Sequence, residues 1–193
     1  MAGHARYTVL FDACALVPLA FADSLMSLAT TGLFAAKWST AIENEWITAL
    51  ERIDPRLQGK LTARRDCMRA SVLDWEVLPK AWQPLESNLS LPDSNDRHVL
   101  AAAIAGHADC IVTMNLKDFP SETLQAYGLE AVHPDDFIVN QIDLDPFTAL
   151  SAFREMRARR KKPVESAIEF VDTLERHGLV ATARRLRDAS AIL

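Results

Sequence analysis

Three short runs of apolar, β-prone residues stand far apart in this chain: YTVLF at 7–11, CIVTM at 110–114 and LEAVH at 129–133. Runs this short, without apolar–polar alternation, suit strands buried on both faces. Between them, residues 14–29, 40–53, 59–73 and 94–107 carry helical periodicity. WEVLP at 75–79 reads as one more short strand, and the polar stretch after it, with Pro84 and Pro92, as a loop. Pro134 opens a further helix. Strands alternating with helices predict an α/β fold, a parallel sheet with helices on both faces.

From Asp145-Pro146 the pattern changes. Residues 146–160, 163–177 and 179–189 read as three helices, interrupted at Lys162-Pro163 and Gly178. Asp145 before Pro146 suits an N-cap followed by a first-turn proline. The expected organisation is an α/β domain over 5–140 and a helical extension over 146–193.

Composition removes several classes. At 193 residues and 49 % apolar side chains, the chain can bury a core without disulfides. Six glycines and nine prolines exclude a collagenous or low-complexity chain. No apolar run approaches the roughly 18 residues of a membrane span, and MAGHARYTVLFD lacks a secretory pattern. Cys14, Cys67 and Cys110 are odd in number and far apart, which predicts reduced thiols in the cytoplasm. Cys14 and Cys110, beside apolar runs, read as core filler. The five histidines show no zinc-site spacing.

Net charge is −5, unevenly spread. Residues 154–162, REMRARRKK, hold six basic side chains and one acidic, so the remainder is markedly acidic. That excess opposes coating nucleic acid by bulk charge, while Arg154, Arg157, Arg159, Arg160, Lys161 and Lys162 suit phosphate contact at one place. A solvated helix face is the alternative for this run.

In an open parallel sheet, ligands bind outside the carboxyl ends of the strands. Asp12 follows the first strand, Asn115 follows the second, and Asp118 lies three residues on. Asp96 lies three residues before Val99 and four before Leu100, near the centre of an apolar helical stripe. A helix-dipole role is the alternative for Asp96, and an N-cap role the stronger alternative for Asp93. On the 40–53 helix, Glu43 and Glu45 flank opposite margins of the Ile42, Trp46, Ala49, Leu50 and Ile53 face; periodicity does not choose between them, and one of the two should be a solvated helix glutamate. Carboxylates brought together repel and raise one another's pKa. A divalent cation such as Mg²⁺, which takes oxygen ligands and keeps several waters, relieves that repulsion. It also equips such a crevice for phosphodiester hydrolysis.

The stretches TVLFDACAL (8–16), WSTAIENEW (38–46), LPDSNDRHVLAAAIAGHADCIVTMNLKDFP (91–120) and PDDF (134–137) together resemble a PIN-domain ribonuclease, of the kind found as VapC-type toxins in bacterial toxin–antitoxin pairs. The resemblance covers roughly residues 5–140, and its most specific part is the acid opening an alanine-rich helix, then IVT, then N-x-x-DF. It implies that Asp12, Glu45, Asp96 and Asp118 are the four family acids, Glu45 rather than Glu43 because it falls six residues after Ser39. It implies Asp12 and Asp96 as the main Mg²⁺ ligands, Mn²⁺ being an alternative, with Thr113 and Asn115 as polar neighbours and Asp93 as an extra acid of one branch. It implies an RNA substrate, an antitoxin partner and a homodimer. The tail beyond residue 140 departs from a short toxin. Phe147, Leu150, Phe153, Ile168, Val171 and Leu174 give it apolar faces for a partner or for its own core.

Three other readings compete. One is an RNA-processing nuclease outside any toxin pair. A second is a degenerate, non-catalytic PIN-like module, although no acid is missing. The third is a haloacid dehalogenase-type phosphohydrolase built on Asp12, Thr113, Lys117 and Asp135-Asp136. That chemistry needs an acid where Cys14 stands, and an acid pair that ends a strand rather than opening a helix.

Overall fold

The computed structural model describes residues 7–161 and 163–193. The chain divides into two compact units, one comprising Phe34–His133 with the segment ending at Val17, the other Pro18–Leu33 with Pro134–Leu193.

The first unit is built on four parallel strands in the order β2-β1-β3-β4: β1 (Thr8–Phe11), β2 (Ala35–Lys37), β3 (Cys110–Val112) and β4 (Glu130–Val132). Val9, Leu10 and Phe11 of β1 and all of β3 are buried. They occupy the two central positions, where both faces are covered and uninterrupted apolar sequence is required. Val9 stands opposite Cys110 and Phe11 opposite Val112, so the two strands end side by side. The chain leaves β1 toward β2 on one side, while β3 lies on the other. The crevice outside the ends of β1 and β3 is therefore a topological switch point.

The parallel sheet and its flanking helices agree with the sequence expectation; several local details differ. β2 is read only from the structure, because Ala35-Ala36-Lys37 carries no β-branched or aromatic residue. WEVLP contributes an isolated bridge, Trp38 to Glu76, in place of a strand. The expected proline loop contains α5 (Pro79–Glu86), with Pro79 in the first turn and Pro84 inside. It buries Trp82 and packs on α6 (Arg97–Ala105). The expected 14–29 helix is two: α1 (Ala13–Leu16) and α2 (Leu19–Ala29). Pro18 has no N–H to continue the ladder, and its ψ of 123° turns the chain. The remaining helices of this unit are α3 (Thr40–Ile53), α4 (Thr62–Ser71) and α7 (Ser121–Gln125). Asp54-Pro55 stops α3. At the end of α6 the chain passes too close to the carbonyl of Ala102 and the side chain of Val77, both 2.9 Å from where a Cβ on Gly106 would sit, for any larger residue.

The second unit is helical: α2 with α8 (Pro134–Leu144), α9 (Pro146–Arg159), α10 (Ala167–Arg176) and α11 (Val180–Asp188). Asp145 caps α9 by accepting from the Thr148 amide, 3.1 Å, with Pro146 in the first turn. α10 starts at Ala167, later than the expected 163, because Ser166 and Glu169 form a capping box there. Asp135, in the first turn of α8, accepts from the amides of Ala181 and Thr182 (2.7 and 2.9 Å) and so caps α11. α2 and α9 meet through Ser24 against Met156, and Arg159 donates to Ser27 at 2.7 Å.

Candidate active site

At the end of β1 the Asp12 amide still donates to the Val112 carbonyl, 3.1 Å, so the ladder carries the carboxylate to the sheet edge. Asp12 is buried. Its Oδ2 accepts from Thr113 Oγ1 at 2.7 Å and from Cys14 Sγ at 2.9 Å. Thr113 follows β3 directly, so this contact ties the ends of the two central strands together. The Thr113 hydroxyl accepts from the Asn115 amide (3.0 Å), and Cys14 Sγ accepts from the Met114 amide (3.1 Å). Cys14 is therefore not core filler as its sequence context suggested; it is a half-buried donor to Asp12. Burial first, and then the Asp12 charge and hydrogen bond, push its thiol up to about 12, so it remains S–H at neutral pH.

Asp96 ends a 3-10 turn, Ser94–Asp96, and stands at the N-cap of α6 without making a side-chain cap. Half-buried, its carboxyl is pushed up to about 6, by burial first and then by the charges of Asp12, Asp93, Asp118 and Glu45. Three of these four charges, Asp12, Glu45 and Asp118, come from stretches of sequence far from Asp96. Asp93 itself is exposed and caps the 3-10 turn, its Oδ1 accepting from the Asn95 amide at 2.9 Å, as the N-cap alternative anticipated. Asp118 closes a second 3-10 turn, Leu116–Asp118, whose preceding residue Asn115 is exposed.

The two glutamates of α3 separate physically. Glu43 is 2 % exposed and forms a two-pronged pair with Arg69, 2.9 and 2.5 Å. The Arg69 guanidinium lies over Trp75, 4.9 Å from its ring centre. As expected, one of the two is exposed, and it is Glu45, whose charge nevertheless acts on Asp96; Glu43 is a buried structural anion. Glu45 accepts from His98 Nε2 at 2.8 Å. His98 is 8 % exposed, in the first turns of α6. Burial opposes its charge and is the largest influence, but the bond and charge of Glu45, with Glu86 and Asp12, outweigh it and raise its pKa. His98 escaped the sequence reading because a lone histidine within an alanine-rich helix looks like core; its position two residues after Asp96 was the available signal. A shallow groove of about 310 Å³ runs along α3 from Asn44 and Glu45 past Thr48 and Ala49 to Arg52.

The donors that face this crevice are carboxylate oxygens. The Cys14 thiol is held protonated and the His98 Nε2 is engaged. Among the described residues no group of three or more His, Cys, Asp or Glu side chains is arranged to hold a metal ion by itself. An oxygen-only, open set of this kind suits a hydrated hard cation held by one or two carboxylates.

The basic run lies in the second unit, and most of it is engaged there. Arg157 donates to the Glu165 carbonyl (3.1 Å), and Arg159 to Ser27 and Asp23. Arg160 pairs with Glu165 (3.2 Å) and lies over Phe170. Arg154 and Lys161 are exposed, without an ion pair among the described residues; Lys162 lies outside them. Of the tail's apolar residues, Leu150, Phe153, Val171 and Leu174 are buried, whereas Phe147 is 85 % and Ile168 62 % exposed. With Asp135 capping α11 and a thiol at position 14, the phosphohydrolase arrangement is absent from the described residues.

Residues 8–117 match the family model described as the PIN domain, and residues 134–188 match the model of the VapC50 C-terminal domain. The tail that departs from a short toxin thus matches a family model of its own, beginning at the PDDF segment. Over 49 residues the chain is 57 % identical to "Putative ribonuclease VapC50" of Mycobacterium tuberculosis, a match that covers 25 % of this chain and 29 % of that protein. No solved structure matches the chain.

Proposed function

We propose that this chain, which belongs to the PIN-domain family, is a metal-dependent endoribonuclease and the toxin of a toxin–antitoxin pair. The observation that carries this reading is the gathering of acids at one sheet edge: Asp12 ends β1, tied to Thr113 after β3, and the charges of Asp12, Asp93, Asp118 and Glu45 all bear on Asp96. A fold does not gather that much negative charge at a sheet edge for stability, since the charges repel. The Mycobacterium relative, named "Putative ribonuclease VapC50", points the same way.

In this reading Asp12 and Asp96 hold Mg²⁺, or Mn²⁺ in its place, and Glu45 and Asp118 complete the acidic shell. When bound, such a cation supplies Lewis acidity toward a phosphoryl oxygen and an activated water. Thr113 and the Cys14 thiol fix one oxygen of Asp12 and leave the other for the ion. The groove along α3 leads from Glu45 to Arg52, whose guanidinium suits a backbone phosphate of single-stranded RNA. In the same reading Asn115, exposed beyond β3, is a substrate contact. Arg154 and Lys161 are the members of the basic run to test for RNA contact. The protein partner is an antitoxin, and a homodimer is the expected assembly. No helix among the described residues is long and apolar enough to cross a membrane. With Cys14, Cys67 and Cys110 all free, the reducing cytoplasm is the expected compartment.

The test is cleavage of single-stranded RNA by the purified chain with Mg²⁺ or Mn²⁺. Asp12→Asn and Asp96→Asn should reduce cleavage to background with the fold retained by circular dichroism, and a chelator should abolish wild-type activity. Undiminished cleavage by either variant, or in chelator, overturns the reading. An adjacent reading frame whose small DNA-binding product co-purifies and suppresses cleavage supports the toxin assignment; its absence leaves an RNA-processing nuclease.

A further inference from the structure

Glu45 faces solvent, its side chain 45 % exposed, and it sits on a different helix from Asp96. A long carboxylate at such a place has many rotamers, most of them turned to water. Its one described hydrogen bond comes from His98 Nε2 at 2.8 Å. His98 belongs to α6, whose following residues Val99 to Ala103 are buried, so the imidazole is carried by a helix fixed in the core. Trp82 of α5 backs it, ring centre 6.0 Å away.

The tautomer follows from the surroundings. His98 Nδ1 is buried without a hydrogen-bond partner. A proton on Nδ1 would leave an unpaired buried N–H and turn the Nε2 lone pair toward the Glu45 oxygen, two penalties together. A proton on Nε2 makes the bond and leaves only a bare nitrogen inside. The charged imidazolium also donates through Nε2, so the contact persists in either charge state.

We propose that His98 is a positioning residue for the nuclease reaction: its Nε2–H holds the exposed Glu45 carboxylate in one orientation beside the acidic crevice. The proposal rests on the nuclease reading above, and its test keeps the two apart.

His98→Phe retains an aromatic ring against Trp82 and removes the donor. His98→Gln retains an N–H donor on a flexible stem. Partners that orient a side chain in a metal site are worth about 10–100-fold in activity. His98→Phe should therefore lower kcat for RNA by about that factor, with KM little changed and the melting temperature preserved, and His98→Gln should recover most of the loss. Independently of any cleavage, long-range proton–nitrogen NMR of the wild-type chain should show a slowly exchanging proton on His98 Nε2, and Glu45→Ala should make it exchange rapidly. Wild-type kcat in His98→Phe, equal damage in His98→Gln and His98→Phe, or a proton on Nδ1 in place of Nε2 would each overturn the proposal. A wild-type chain that shows the Nε2 proton bonded to Glu45 and cleaves no RNA would overturn the nuclease reading, and the catalytic purpose of the pair with it.

Discussion

Replacing Asp96 by Asn should make the metal-free protein more stable at neutral pH while removing its activity. In the folded chain the carboxyl is raised from 3.8 to about 6. For an acid whose folded pKa lies above its unfolded one, the folded state holds the proton more tightly, so stability falls as pH rises between the two values. Below about pH 4 the group is protonated in both states and costs nothing; above about pH 6 the full cost applies. At 1.36 kcal/mol per tenfold, the shift nominally amounts to about 3 kcal/mol. Asp96 is only half-buried, and screening by water reduces this to about 1 kcal/mol. In a chain of this length that is about 2–4 °C in melting temperature. Thermal unfolding of wild type and Asp96→Asn in a chelating buffer should show a gap of that size at pH 7.5 that closes near pH 4. Adding Mg²⁺ should raise the wild-type midpoint and leave the variant where it was. Equal midpoints at pH 7.5, or a gap that does not change with pH, would refute the electrostatic reasoning.

Other substitutions separate the structural anions from the candidate catalytic ones. Glu43→Ala strands the half-exposed Arg69 guanidinium beside Trp75 and should cost ~2 kcal/mol in denaturant titration, less than for a fully buried pair because Arg69 reaches water. Glu45→Ala, at an exposed position, should leave stability within about 1 kcal/mol and depress RNA cleavage. Thr113→Val keeps the volume but removes the donor to Asp12, and should lower kcat about tenfold, the worth of one hydrogen bond to a charged group. Asp135→Ala uncaps α11 and should cost about 1–2 kcal/mol, with faster hydrogen exchange at Ala181 and Thr182. A chain ending at residue 145 strips α9 from the apolar face of α2 and should be recovered insoluble; a soluble, monomeric product would count against the packing of the second unit.

Much of the sheet was legible because β1, β3 and β4 are compact β-prone runs bounded by helical periodicity. Asp12, Asp96 and Asp118 were conspicuous for a related reason: each ends or opens an element whose periodicity locates it. β2 was not, since Ala-Ala-Lys gains its strand conformation from pairing with β1 rather than from its own preference. The prolines at 79 and 84 hid α5, although Pro79 is a helix start and Trp82 is the residue that fastens it to α6. Glu43 and Glu45 could not be told apart by periodicity because the deciding partners, Arg69 and His98, lie 26 and 53 residues further along. Cys14 was misread for the same reason: its role depends on Thr113 and Met114, a hundred residues distant in the chain and adjacent only through strand pairing.

The placement of α2 with α8 to α11 has a consequence for how the chain is made. α2 is translated roughly a hundred residues before α8 and the helices that follow it, which share its unit. Through most of synthesis its apolar surface, with Phe21, Leu25 and Leu28, has no native partner. The nascent polypeptide therefore carries an apolar helix that waits for its partners, and the second unit cannot close until α8 and α9 have followed.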